Sequence, residues 1–150
     1  MDLSAYQPYF APFAGFFYKA NVSDVFVLLD EVQFPQGTTW VSRNRFKSDK
    51  GTLWVTIPVW KKGLGLQRIK EVRICAEGRW RDKHLQSIKT AYAHAPYMED
   101  YRAFIEDIFS DLDQRLLDLN VRIIRHLMAA LSIETPLVLQ SELGVRTRGN

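Results

Sequence analysis

The chain has 150 residues, one cysteine and a formal net charge of +3, and 47% of its residues are hydrophobic while 25% are charged. This balance indicates a single globular domain over residues 1–150 with a sizeable core, and it excludes a disordered chain. No apolar run approaches the ~18–20 residues of a membrane span, and Asp2 interrupts the apolar stretch that a signal peptide would need. The single cysteine, Cys75, cannot form an internal disulfide. We therefore expect a cytoplasmic protein.

The first part of the chain predicts two buried strands joined by an aromatic turn and a short helix. Residues 3–6 and 25–30 are short apolar runs typical of buried strands. Between them, Pro8 and Pro12 fix φ and push the residues before them toward extended conformations. A helix over residues 13–20 follows, so the chain is expected to start as strand, turn and helix.

The middle of the chain continues in strands. Residues 52–59 alternate apolar and polar side chains directly after Gly51, which is typical of a half-buried strand. Residues 40–46 lie between turn signals, and residues 69–74 are a further strand candidate.

From Trp80 onward the apolar period becomes that of a helix. One helix runs from Trp80 toward Pro96, and a second covers residues 98–110. A long apolar stripe predicts a third over residues 112–131, with Asp111 as its N-cap. Residues 137–139 return as a strand. The predicted class is α/β or α+β, with a β-rich N-terminal half and a helical C-terminal half.

Several segments carry a resemblance to a known family. They are residues 6–17, 24–34, 43–47, 54–59, 80–88 and 92–97. Their order and spacing resemble the WbqC-like family, whose members occur among bacterial O-antigen and surface-polysaccharide genes. Many members carry a histidine where this chain has Tyr6, and members are usually longer, so we expect part of the family's site to be missing here.

The resemblance implies a role in surface-polysaccharide assembly without settling a reaction. Our hypothesis is an enzyme that transfers a group from an activated, nucleotide-linked sugar or acyl donor. A non-catalytic sugar-nucleotide-binding or assembly module of the same pathway is the alternative. A degenerate relative of the HxGH nucleotidylyltransferases is a weaker one. Phe13 and Phe16 stand where that motif has histidines, and phenylalanine cannot donate a hydrogen bond to phosphate.

Charge along the chain points to an anionic ligand. Residues 43–83 are rich in lysine and arginine, whereas residues 99–118 are acidic. Within the basic part, Arg43 and Arg45 are able to clamp a phosphate while Asn44 reads a hydroxyl. On a strand the two arginines share one face and Asn44 points to the other. The alternative is an exposed edge strand protected by positive charge.

Two residues are candidates for moving a proton. Asp30 follows the second strand, where α/β proteins place catalytic groups, and it would act as a general base or contact a sugar hydroxyl. His84 shares the apolar stripe of Trp80, so it is either a core residue bonded to a backbone carbonyl or an acid–base group. Lys83 faces the other way and would neutralise phosphate.

The aromatic turn is expected to complete the substrate cleft through Gln7, Tyr9 and Gly15. The tryptophans at positions 40, 54 and 60 hint at sugar stacking. No Gly-rich phosphate loop, zinc-ligand spacing or catalytic triad is present, so we predict no cofactor and no metal. We expect a small anionic substrate rather than nucleic acid. The long apolar face of the third helix also allows for a homo-oligomer.

Overall fold

Five strands and four α-helices are described in the computed structural model, which covers residues 1–145. In chain order they are β1 (Leu3–Tyr6), α1 (Ala14–Asn21), β2 (Val25–Leu28), β3 (Arg43–Ser48), β4 (Gly51–Thr56), α2 (Trp80–Ala91), α3 (Met98–Ser110), α4 (Leu116–Ala130) and β5 (Leu137–Leu139). The mixed α/β class is confirmed. Residues 146–150 lie outside the described residues, so a single domain over the whole chain stays a prediction.

A three-stranded parallel sheet has the strand order β1-β2-β5. One of its faces is covered by α1 and α4, because Phe16 of α1 and Ile124 of α4 pack on Phe26 and Leu28 of β2. Since all three strands run in the same direction, their carboxyl ends meet at one edge of the sheet. That edge receives the residues that directly follow each strand.

The second sheet is an antiparallel hairpin of β3 and β4, in which Arg43 lies opposite Thr56 and Ser48 lies opposite Gly51. Gly51 adopts φ 109°, a conformation that glycine tolerates without strain. Val55 turns inward and joins a larger core with α2, α3 and α4, so the hairpin has one buried and one solvent-facing side.

The prediction of a strand over residues 69–74 is wrong. Ile69–Glu71 forms one turn of 3-10 helix, and the next residues make only isolated bridges, between Arg73 and Arg115 and between Val59 and Ile74. Ile69 and Val72 are fully buried, as strand residues would be. Their backbone groups, however, bond to several different elements, so no continuous ladder forms.

The predicted N-cap at Asp111 is also wrong, because Asp111 ends α3 and α4 starts only at Leu116. Arg122 explains the loop between the two helices. Its guanidinium donates to the Asp111 carbonyl at 2.9 Å and to the carboxylates of Asp107 and Asp113 at 2.8 and 3.0 Å. These bonds hold residues 111–115 outside the helix.

The other predicted elements are confirmed with small shifts. The second strand ends at Leu28 rather than residue 30, and the third begins at Arg43 rather than residue 40. Among residues 1–145, no helix combines the length and the apolar character that crossing a bilayer requires.

Candidate functional site

The parallel sheet brings three polar residues to its carboxyl edge. Gln7 directly follows β1, Asp30 lies two residues after β2, and Gln140 directly follows β5. The position expected for Asp30 from the sequence is therefore correct. Gln140 was not predicted, although it is only 6% exposed and its Oε1 has no hydrogen-bond partner among the described residues.

Asp30 is 1% exposed, and its carboxylate is held by one residue. Ser141 donates its backbone N–H to Oδ1 at 2.9 Å and its hydroxyl to Oδ2 at 2.6 Å. The negative charge of Asp30 also reaches Arg115, whose pKa is raised mainly by its hydrogen bonds to Asp118 and to a smaller extent by Asp30. Both oxygens of Asp30 thus anchor the turn after β5, which limits its availability as a base.

Glu31, the neighbour of Asp30, forms the main ion pair at this edge. Lys70 Nζ lies 2.6 Å from its carboxylate and Arg68 lies at 3.6 Å. The hydrogen bond from Lys70 lowers the pKa of Glu31, and the charges of Lys70 and Arg68 lower it further. In the sequence, only its position next to Asp30 indicates that Glu31 belongs to this edge of the sheet.

Replacing Glu31 with glutamine is expected to make the free energy of unfolding depend less on pH in acid. A depressed pKa in the folded state contributes stability that is present above the unfolded value, and this contribution disappears as pH falls through the folded value. The difference in Tm between wild type and Glu31→Gln should therefore shrink below about pH 4.5. Thermal unfolding from about pH 3 to pH 7 measures it, with the exposed Glu77→Gln as the control. A constant difference across this range would contradict the effect.

The solvent-facing side of the hairpin carries a stack of cationic and aromatic groups. The Arg43 guanidinium lies 3.9 Å from the centre of the Trp54 ring, and Trp54 stacks on Trp40 at 6.0 Å with 28° between the rings. Both tryptophans are more than 40% exposed. Arg45 lies directly opposite Trp54 in the hairpin register, which places both arginines on this face as the alternation predicted. We call Arg43, Arg45, Lys47, Trp40 and Trp54 the hairpin face.

Asn44 points to the opposite side of β3. Its amide nitrogen donates to the Phe10 carbonyl at 3.1 Å and to the Ala11 carbonyl at 2.7 Å. Ala11 adopts φ 42°, in the left-handed region that alanine seldom visits. Asn44 therefore fixes the aromatic turn in a strained conformation and lies away from the two arginines.

Gln7 and Tyr9 belong to the aromatic turn, and Gly15 is the second residue of α1. The Tyr9 N–H donates to the Gln7 carbonyl at 2.8 Å. Burial raises the pKa of Tyr9, and the nearby Tyr6 raises it further. A Cβ at Gly15 would lie 2.5 Å from the Phe13 ring, so the missing side chain lets that ring cover the start of the helix.

His84 lies beside the hairpin. Its Nε2 is 2.9 Å from the carbonyl oxygen of Thr56, the residue opposite Arg43. Because a carbonyl only accepts, Nε2 must carry the proton, and Nδ1 has no hydrogen-bond partner within residues 1–145. Trp80 and Phe109 flank the ring at 6.0 and 6.5 Å. The predicted carbonyl bond is confirmed, and Lys83 is exposed as predicted.

Asn120 of α4 is a residue that sequence reasoning missed. It is fully buried, and its amide nitrogen donates at 2.8 Å to the carbonyls of both Pro8 and Val41. It thus ties the aromatic turn to the loop that precedes the hairpin. A polar residue inside an apolar helical stripe was the available signal.

The predicted site residues fall into two groups. Gln7 and Asp30 lie at the sheet edge, whereas Arg43, Arg45 and His84 lie at the hairpin. No hydrogen bond or ion pair within residues 1–145 joins Asp30 to either arginine. The same residues contain no cluster of three or more metal-binding side chains.

Comparison with known proteins places these features in a family context. The model of the WbqC-like protein family matches residues 7–150. The uncharacterized protein Rv1507c of Mycobacterium tuberculosis (strain ATCC 25618 / H37Rv) is 28% identical over 132 residues, which cover 87% of this chain and 56% of that protein. The chain thus matches little more than half the length of that relative. No solved structure matches it significantly.

Proposed function

The chain belongs to the WbqC-like protein family, and on this basis we propose that it is a group-transfer enzyme of bacterial surface-polysaccharide (O-antigen) biosynthesis. It binds an activated, nucleotide-linked sugar or acyl donor on the hairpin face. The stack of Arg43 on Trp54 and of Trp54 on Trp40 is the observation that carries this function.

The charge of the hairpin face suits a donor that carries phosphates. Arg43, Arg45 and Lys47 occupy alternate positions of β3, so their side chains project about 7 Å apart on one side of the strand. None of the three forms an ion pair within the described residues. Unpaired cations at this spacing favour a ligand with two negative groups, such as a diphosphate.

The two tryptophans suit the planar part of the same donor. Aromatic faces bind nucleobases and sugar rings by stacking, and Trp40 and Trp54 present exposed rings beside the cations. A guanidinium that already lies on Trp54 needs little reorganisation to meet a phosphate beside the stacked ring. The hairpin face therefore combines the two contacts that a nucleotide-linked donor requires.

His84 is the residue best placed to move the proton. In the transfer, the acceptor hydroxyl attacks the donor carbon. The bond from that carbon to the phosphate oxygen of a sugar nucleotide, or to the sulfur of an acyl thioester, breaks, and the nucleoside diphosphate or the thiolate leaves with the bonding electrons. The hydroxyl proton passes to Nδ1 of His84, because Nε2 already carries a proton bound to Thr56. Asp30, whose carboxylate is bound by Ser141, serves as a positioning residue at the sheet edge.

Substituting the hairpin face should weaken donor binding. We expect Arg43→Ala and Trp54→Ala each to raise the Kd for the donor at least tenfold, about 1.4 kcal/mol, since each removes one of the two contact types. Thermal-shift screening against UDP-N-acetylglucosamine, dTDP-glucose and acetyl-coenzyme A identifies the donor, which at 100 times its Kd stabilises by about 2.7 kcal/mol. UDP, which carries no transferable group, is screened beside them to measure the contribution of the nucleotide alone. Titration of the variants then measures the loss.

Lys50→Ala is the matched control, because Lys50 is exposed at the hairpin tip and forms no ion pair within residues 1–145. Its Kd should stay within twofold of the wild-type value, an expectation that follows from the small effect of exposed charges. Equal binding by all three variants would exclude the hairpin face as the donor site. If a single-stranded oligonucleotide binds and none of the nucleotide-linked donors does, the proposed donor is excluded.

A non-catalytic binding module is the second candidate, favoured by the saturated carboxylate of Asp30. The two functions differ in their response to His84→Gln. An enzyme loses turnover in this variant while donor binding persists, whereas a module shows no turnover in either protein. Donor consumption measured beside binding separates them.

A further inference from the structure

An apolar cavity of about 380 Å³ lies between α2, α3, α4, the aromatic turn and the inner side of β3. Only apolar atoms form its accessible wall. Buried side chains such as Phe10, Ile88 and Ile123 form its floor. Tyr97, which is 70% exposed, and Tyr101, which is 36% exposed, stand at its rim. The cavity is therefore partly open to solvent, and its wall is apolar.

The shape of the cavity follows helix α3. Its wall includes α3 residues from Met98 to Phe109, a stretch of about 16 Å at 1.5 Å per residue. The apolar wall therefore extends along about three turns of α3, an elongated outline that suits a linear hydrocarbon chain better than a compact ring system.

We propose that this cavity binds the aliphatic chain of an acyl compound. Water is a poor occupant, because a bound water molecule needs two or more polar partners and the wall offers none. A chain that covers this apolar wall removes its surface from water, which favours binding. Its volume lies in the range of roughly 300–1,000 Å³ that is typical of small-molecule sites.

A second protein molecule fits the cavity less well than a chain does. Stable protein interfaces bury about 1,200–2,000 Å² on surfaces with a polar rim, whereas this cavity is confined to the surroundings of α3 and has a wholly apolar wall. The chain site is also independent of the donor site. Phe46 lines the cavity from the inner side of β3, while Arg43 and Arg45 lie on the outer side.

Chain length provides the readout. Each buried methylene should improve binding about fourfold until the chain fills the cavity, after which further methylenes remain in water and add nothing. Isothermal titration with sodium alkanoates of increasing length, each below its micelle concentration, should therefore show a rise and then a plateau. The corresponding alkanols should give the same plateau, because the wall contacts the chain and not the head group.

Ile105→Trp tests the location, since Ile105 lines the cavity on α3 and the larger side chain would occupy it. We expect at least tenfold weaker binding of the chain at the plateau. Ala103→Trp is the matched control, because Ala103 is exposed on the same helix and adds the same side chain outside the cavity. Should Ile105→Trp fail to fold, Leu127→Trp fills the cavity from α4.

Three results would overturn the proposal. One is the absence of binding at every chain length. Another is affinity that keeps rising with length and is equal in wild type and in the filled variants, which indicates adsorption to the surface. The third is a dimer, seen by light scattering, that Ile105→Trp dissociates while no chain binds, which would make the cavity an interface between copies.

Discussion

Asn120→Leu is expected to lower the free energy of unfolding by about 3 kcal/mol. The substitution removes the donor from the carbonyls of Pro8 and Val41, two residues that are themselves buried. Each carbonyl left without a donor costs roughly 1–3 kcal/mol, and the apolar contacts of the leucine offset part of that cost. For a chain of this size the loss corresponds to a Tm roughly 6–12 °C lower.

Thermal and denaturant unfolding of both proteins measures this loss. Asn21→Leu is the matched control, because Asn21 is exposed at the end of α1 and the chemical change is the same. Its effect should remain within about 0.5 kcal/mol, as for most surface substitutions. If Asn120→Leu unfolds at the wild-type midpoint, the two bonds of Asn120 do not stabilise the fold.

The same substitution should also disturb the hairpin face. Asn120 ties the aromatic turn to Val41, and the Phe10 N–H of that turn donates to the Trp40 carbonyl at 2.9 Å. Loosening the turn therefore frees Trp40 from its stack on Trp54. We expect a weaker near-ultraviolet circular dichroism signal from the tryptophan pair in Asn120→Leu and an unchanged signal in Asn21→Leu.

Asp30→Ala is expected to destabilise the protein by about 3 kcal/mol, because it removes two hydrogen bonds to a charged acceptor, each contributing roughly 1.5–3 kcal/mol. Asp30→Asn should cost only about 1 kcal/mol. Its side-chain oxygen still accepts from the Ser141 N–H, and its amide donates to the Ser141 hydroxyl. If Asp30→Ala is less stable than Asp30→Asn, the hydrogen bonds of the residue 30 side chain position the turn after β5.

Hydrogen exchange locates the effect, since Asp30→Ala should release the turn Gln140–Leu143 and the end of β5. Asp49→Ala is the control, because Asp49 is exposed and lies in the hairpin turn. In a double-mutant cycle, Asp30→Ala and Ser141→Ala should be strongly non-additive, as expected of contacting residues. Full stability of Asp30→Asn combined with loss of turnover would instead make Asp30 the catalytic base.

Local sequence patterns determined most of the elements and which side of a strand or helix their residues face. A period of two placed Arg43 and Arg45 on one face of β3 with Asn44 on the other, and a period of 3.6 turned His84 inward on α2. Pro8 and Pro12 interrupt regular structure and so separate β1 from α1. These features depend on neighbours a few residues away, so the amino-acid order alone fixes them.

Tertiary structure decided which polar groups meet. Ser141 lies 111 residues from Asp30, and Asn120 lies 112 residues from Pro8, so no local period relates them. Residues 69–74 have the apolar composition of a strand, but their backbone groups find partners on separate elements and form a 3-10 turn instead. A buried polar group must be paired. The sequence shows that such a group exists, but only the packing of distant segments selects its partner.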